Sequence, residues 1–217
     1  MNFTGFTRHD FETFAIEGLD GRMEAIRERI QPKFKALGDS LCGDLSVLSG
    51  TEMFLHIAKH ARRTVNPPVD TWMAICPYKR GYKQVPHFQV GLFDDRVFIW
   101  LALIYELPNK GQIATAYMNE LDQLRAMLPG DFLLSFDHMK KDTVPVQGLD
   151  HEGWMNALGR FRDVKKAELL IGRNLEATDP LLAQGNAFEQ LVKQTFETLM
   201  PLYQTAVRSS ALDAVTV

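Results

Sequence analysis

The residues best equipped for chemistry are concentrated in one stretch, positions 56–83. It carries Lys59, Arg62, Arg63, Lys79, Arg80 and Lys83 against a single acid, Asp70. With histidine neutral that is a net charge of +5, in a chain whose overall formal charge is -3. Cations gathered beside turn-forming sequences (Asn66-Pro67-Pro68 and Lys79-Arg80-Gly81-Tyr82-Lys83) suit a phosphate or carboxylate. His56 and His60 lie in the same stretch, four residues apart. Ser49-Gly50-Thr51-Glu52 resembles a capping box, which predicts a helix over residues 52–63. On such a helix His56, His60 and Arg63 fall within about 60° of one another, beside the apolar face formed by Met53, Ile57 and Phe54. The expected ligand set is therefore His56, His60, Arg62, Arg63, Lys79 and Arg80, with His87 added from a neighbouring strand. The cations would neutralise an anionic small molecule, and the histidines would donate hydrogen bonds or move a proton near neutral pH.

A His-x-x-x-His helix can also hold a metal ion. The zinc-protease form of that motif needs a glutamate directly after the first histidine, and this chain has Ile57 there. A metal-dependent hydrolase would thus combine His56 and His60 with a third ligand drawn from His87, Asp137 or His138. Two further residues could do acid–base work. Glu106 ends an otherwise apolar run, where a carboxylate seeks a partner, and strand alternation places it on the same face as His87. His138 closes a later strand beside Asp137, and adjacent strand residues point to opposite faces, which argues against a dyad between those two. There is no Gly-x-Ser-x-Gly elbow and no phosphate-binding glycine loop, so no cofactor is implied by a motif and no reaction is assigned. Nucleic acid or a protein partner on the basic stretch is a third reading, marked by steep salt dependence.

The elements that must position these residues follow from periodicity. Met23, Ile26, Ile30, Phe34 and Leu37 recur at helical spacing, with Pro32 predicting a kink or restart and Gly38 a stop. Residues 71–76 read as a strand. Residues 88–93 and 97–105 read as a hairpin turning at Asp94-Asp95, its second strand apolar on both faces as in a central strand. A helix is predicted over 112–128, a strand at 132–136, a helix over 152–161, a strand at 167–171 and a long helix from about 180 to 203. Helices and strands mix without strict alternation. The expected fold class is α+β, a mixed or antiparallel central sheet packed by helices, in a single compact domain over residues 1–208 with a disordered tail at 209–217.

Bulk properties bound the rest. The 217 residues are 46% hydrophobic and 24% charged, enough for a substantial core, and the mild acidity argues against a protein-wide attraction to membranes or nucleic acid. Two cysteines, Cys42 and Cys76, without a C-x-x-C pair fit a reducing compartment. The first ten residues lack a signal-peptide pattern, and the longest apolar run is too short to span a bilayer, so the expected location is the cytoplasm. Oligomeric state is not encoded in these patterns.

Several pieces of the chain, in order, resemble one known family. They are Ile16-Glu17-Gly18-Leu19 with Arg22-Met23, His56-Ile57-Ala58-Lys59-His60-Ala61-Arg62-Arg63, Asn66-Pro67-Pro68, Asp70-Thr71-Trp72 and Lys79-Arg80-Gly81-Tyr82-Lys83. Pro86-His87-Phe88-Gln89-Val90-Gly91-Leu92, Asp137-His138, Lys165-Lys166-Ala167-Glu168 and Gly172 continue the match. These resemble the YktB-like family of uncharacterised bacterial proteins (uncharacterised protein family 0637). The resemblance implies a cytosolic bacterial protein of α+β fold and transfers no catalytic residue. It is densest where charge and spacing already place the site.

Overall fold

A computed structural model describes residues 2–211; the last six positions of the predicted tail, 212–217, lie outside the described residues. The architecture is α+β. Among the described residues, seven strands are ordered β1-β2-β3-β4-β7-β5-β6 in one sheet: β1 (Phe54–Ile57), β2 (Thr71–Cys76), β3 (His87–Leu92), β4 (Arg96–Leu103), β5 (Leu133–Ser135), β6 (Val144–Pro145) and β7 (Leu169–Glu176). The helices are α1 (Arg8–Phe11), α2 (Leu19–Ala25), α3 (Gln31–Ser49), α4 (Lys110–Asn119), α5 (Leu121–Met127), α6 (His151–Asp163) and α7 (Gly185–Ala211). No helix among the described residues is long and apolar enough to cross a membrane. The chain divides into two compact units. Of the described residues, the first comprises 2–79, Gln89–Ile99 and Asn174–Thr195; the second comprises Arg80–Phe88, Trp100–Arg173 and 196–211.

In the first unit, α2 and α3 are joined by a π-helical turn, Ile26–Ile30. Pro32 follows at the start of α3. A proline ring clashes with the carbonyl four residues back and offers no N–H, and widening the preceding turn accommodates both faults without ending the helix. Gly38 does not stop the helix, as its spacing suggested. It lies inside α3, where an added Cβ would run into the Leu55 side chain. The stop is Gly50, left-handed at φ 71°. That reading also removes the predicted helix over 52–63. Gly50 closes the preceding helix rather than opening the next one, and the short apolar run after it becomes β1. β1 pairs antiparallel with β2, Phe54 opposite Cys76 and Ile57 opposite Met73. The hairpin at Asp94-Asp95 is present, with the Phe93 N–H donating to the Arg96 carbonyl at 2.9 Å. Ile26, Ile30, Phe34 and Leu37 are fully buried, and Phe6 packs edge-on against both Phe34 and Phe188.

In the second unit, the predicted helix over 112–128 breaks at Glu120 into α4 and α5. α6 begins at Asp150, whose side chain accepts from the Gly153 N–H at 2.7 Å. Phe88 stacks obliquely on Phe196 and Tyr203 at 4.7 and 5.0 Å. Tyr117 is buried and donates to the Leu202 carbonyl at 2.8 Å, and burial drives its hydroxyl pKa far upward. α7 continues past the predicted end near 203 through Ala211, and Ser209, expected in the tail, is a buried helical residue donating to the Thr205 carbonyl.

Both thiols are placed to stay protonated. Burial raises the pKa of Cys42 to about 11, helped by Asp39 and by the charge of Cys76, and burial also raises that of Cys76. The shift of Cys42 makes its thiolate about a hundredfold scarcer near pH 8, and its higher intrinsic nucleophilicity restores less than a factor of ten. Disulfide exchange with an aromatic disulfide reagent is therefore expected to run at least tenfold slower at Cys42 in native than in denatured protein. Folded Cys42 keeps its proton while the unfolded chain, at 9.0, loses it, so this group's contribution is complete below pH 9 and falls as pH rises to about 11. Denaturation curves of wild type and Cys42→Ala should converge across that window; parallel curves would show that the thiol is not shielded.

Candidate functional site

The first unit presents its basic residues on the β1–β2 hairpin. Because β1 ends at Ile57 and β2 begins at Thr71, Lys59, Arg62 and Arg63 lie in the connecting loop. Lys79 follows Cys76 at the opposite end of the same hairpin, its ammonium 5.1 Å from the Phe54 ring. Four residues of strand separate the two ends by about 10 Å. The single basic face expected from a helix is thus resolved into two groups. His56, His60 and Arg63 do not share a helix face.

The two histidines serve different ends of the hairpin. His56 Nε2 lies 2.7 Å from the Tyr78 carbonyl, so that nitrogen carries the proton and donates. Cys76 Sγ is 3.5 Å from the same nitrogen, and its own S–H points to the same carbonyl at 3.3 Å. A donor cannot take the proton of Cys76, so the contact is not a Cys–His nucleophile pair. His60 Nε2 meets Thr71 Oγ1 at 3.1 Å, and the ring stands edge-on to Trp72. Its φ is 48°, the one positive value at a non-glycine position among the described residues. Such a conformation persists only where the surroundings hold it, and here they are the threonine, the tryptophan and a turn closed by the Arg63 N–H on the His60 carbonyl. Among the described residues, the His/Cys/Asp/Glu ligand atoms that gather closely enough for a metal do not include His56, His60 or His87. With the His-x-x-x-His helix absent, the metal-dependent hydrolase built on it loses its geometry.

In the second unit, Arg80 is exposed, Lys83 Nζ lies 3.7 Å from Glu106 Oε1, and buried His87 donates from Nδ1 to the Val85 carbonyl at 2.8 Å. Glu106 stands beyond the end of β4, in a turn, with Lys83 facing it. The strand-face coupling expected between His87 and Glu106 is replaced by these contacts.

The same unit assembles a different constellation. Glu168 directly precedes β7 and is 2% exposed. Its carboxylate accepts from the backbone N–H of His138 at 2.7 Å and of Tyr105 at 3.3 Å, and from His138 Nδ1 at 2.9 Å. Asp137, beside His138, accepts the Met139 N–H at 2.9 Å on Oδ1. One ligand atom from each of Asp137, His138 and Glu168 lies within 4.8 Å of the other two. Asp137 and His138 sit past the end of β5 in a turn, where strand alternation no longer applies, so the expectation that they face apart does not hold. Since the carboxylate is an acceptor, Nδ1 of His138 is the donor in this pair. A carboxylate behind such a ring orients it and stabilises the imidazolium formed on proton uptake, as a general base requires.

Lys110, at the start of α4, braces the turn before Glu168. Its ammonium donates to the carbonyls of Val164, Lys165 and Ala167 at 2.5, 2.9 and 2.9 Å. Burial lowers its pKa, and Glu168 opposes that shift. Sequence reasoning passed over both Lys110 and Glu168. Glu168 carries a signal of the kind noted for Glu106, a carboxylate abutting the apolar run Leu169-Leu170-Ile171. Lys110 carries none, because nothing local marks a lysine as buried. Cavities of about 620 Å³ beside Phe11, Phe14 and Asp94 in the first unit, and about 400 Å³ beside Arg125 and Trp154 in the second, contain none of the predicted site residues.

Comparison with known proteins places the chain. A family model described as a domain of unknown function (DUF1054) matches residues 6–203. A UPF0637 protein of Oceanobacillus iheyensis is 59% identical over 205 residues, covering 94% of this chain and 98% of the relative. The chain belongs to the UPF0637 family. Other UPF0637 proteins, from Shouchella clausii and Listeria innocua, are 52% and 50% identical over 97% and 96% of this chain and 99% and 100% of their own lengths. The UPF0637 match thus spans the basic hairpin, the Asp137–His138–Glu168 group and Lys110 alike.

Proposed function

We propose that this protein binds an anionic small molecule, phosphate- or carboxylate-bearing, in the bacterial cytoplasm through the β1–β2 hairpin. The observation that carries the reading is a loop whose cations lack acidic partners. Among the described residues, no carboxylate pairs with Lys59, Arg62 or Arg63, and the one acid of the loop, Asp70, is fully buried. Lys59 and Arg62 are exposed, while Arg63 reaches only the Asn66 carbonyl, at 3.5 Å. Unneutralised cations on a loop held in a left-handed conformation at His60 form a preorganised anion contact. In this reading Lys59, Arg62 and Arg63 hold the anion and His60 shapes the loop. Lys79 and His56, at the other end of the hairpin, take a second anionic group.

The division of the cations between hairpin ends about 10 Å apart favours a second reading, an extended polyanion such as a single-stranded nucleic acid. Thermal-shift measurements with inorganic phosphate, nucleotides and phosphorylated metabolites test the first. A ligand at a hundred times its Kd adds about 2.7 kcal/mol, roughly 5–10 °C for a chain of this size. That shift is expected in wild type and absent in Arg62→Ala/Arg63→Ala. An oligonucleotide that binds with steep salt sensitivity while no small anion does would select the second reading. No response to either class would defeat both.

A further inference from the structure

We propose that Asp137, His138 and Glu168 form a binding site for one divalent first-row transition ion, of the class of Zn²⁺ or Mn²⁺. The donor set is an imidazole and two carboxylates, with one ligand atom from each within 4.8 Å of the others. Ligands bonded at about 2.1 Å and separated by 90–109° stand about 3.0–3.4 Å apart. The 2.9 Å between His138 Nδ1 and Glu168 is that of a hydrogen bond and is also close to that of two ligands side by side on one ion. A bound ion at Nδ1 would take the place of the shared proton, with the imidazole carrying its proton on Nε2 and coordinating through the Nδ1 lone pair.

Three features distinguish this group from an ordinary surface cluster of acids. Glu168 is buried, and its orientation is set by two backbone N–H donors, so the carboxylate is in place before an ion arrives. The turn ahead of it is fastened by the three hydrogen bonds of Lys110, which fixes the backbone from the other side. Asp137 is 42% exposed and the His138 side chain 9%, giving an ion a route in from solvent over a buried floor. Lys140 lies 3.7 Å from Asp137 and is itself 65% exposed, a weak contact that an ion can displace. Mixed nitrogen and oxygen donors favour a first-row ion over calcium or magnesium. Three protein ligands leave positions for water, the arrangement of an ion that polarises or activates what it binds rather than one that only holds a fold together.

The test uses the full chain, stripped with a chelator and titrated separately with Zn²⁺ and with Mn²⁺. Calorimetry and elemental analysis after desalting are expected to give one equivalent of at least one of the two ions. Asp137→Asn removes a ligand charge at an exposed position and keeps an oxygen for the Met139 N–H, so its fold should be intact by circular dichroism. Its affinity should fall at least tenfold, and His138→Ala should abolish stoichiometric uptake. Failure of both ions to bind, or binding that Asp137→Asn leaves unchanged, would overturn the assignment and leave His138 and Glu168 as a structural pair.

Discussion

Replacing Lys110 with methionine is expected to cost about 3 kcal/mol of stability and to lower the thermal midpoint by roughly 10 °C. The size follows from what the ammonium touches. It is 9% exposed, lies 5.4 Å from the centre of the Phe161 ring, and commits all three of its donors to the carbonyls of Val164, Lys165 and Ala167. Val164 is the C-cap of α6, so the charge also sits at the negative end of a helix dipole. Methionine keeps much of the stem's packing and removes every donor. Hydrogen bonds from charged groups are worth about 1.5–3 kcal/mol each, and the three do not add, because residues 162–166 are exposed and water can reach part of what the ammonium leaves. Hydrogen exchange should locate the damage at the turn leading into Glu168. A midpoint within about 2 °C of wild type would mean that water replaces the lysine and that the turn stands without it.

The second large effect belongs to the first unit. Gly5→Ala should destabilise by about 3–4 kcal/mol, from two sources that can be separated. Gly5 has φ 89°, a left-handed conformation costing about 1–2 kcal/mol for an alanine. Its added Cβ would also collide with the Leu182 carbonyl oxygen and stand 2.9 Å from the carbonyl carbon of Ala183. These are backbone atoms, so no rotamer change relieves them. The Phe6 N–H donates to that same Leu182 carbonyl at 2.7 Å, and Phe6 itself is 1% exposed against Phe3 and Phe188. Moving the segment to clear the collision would therefore pull a ring from the core. Gly50→Ala isolates the conformational part: φ is 71° and ψ 15°, and nothing lies within 4 Å of the added carbon, so about 1 kcal/mol is expected. Equal losses for the two variants in denaturant titrations would show that the N-terminal segment yields freely and that the close approach constrains nothing.

Both effects arise at contacts distant in sequence, and the same division runs through the whole protein. β2, the hairpin turning at Asp94-Asp95, α6 and the body of α7 were legible from the chain, because each declares itself through a local period or an adjacent turn signal. The α+β class followed from their order. The region around Gly50 misled because the same four residues can be read as a capping box opening a helix or as a left-handed glycine closing one. Leu55 packing where Gly38 lacks a side chain accompanies the second outcome. That choice placed His56 and His60 at different ends of a hairpin and divided the basic face. The basic segment itself, and Asp137-His138, were visible as residue types. Their partners were not: Glu168 meets His138 across 30 residues, and Lys110 meets Ala167 across 57. Residue type and spacing determined which groups this protein has for binding charge and moving protons. Only tertiary structure decided which of them meet, because a buried carboxylate or ammonium takes the partners that the folded backbone brings to it, however far along the chain they lie.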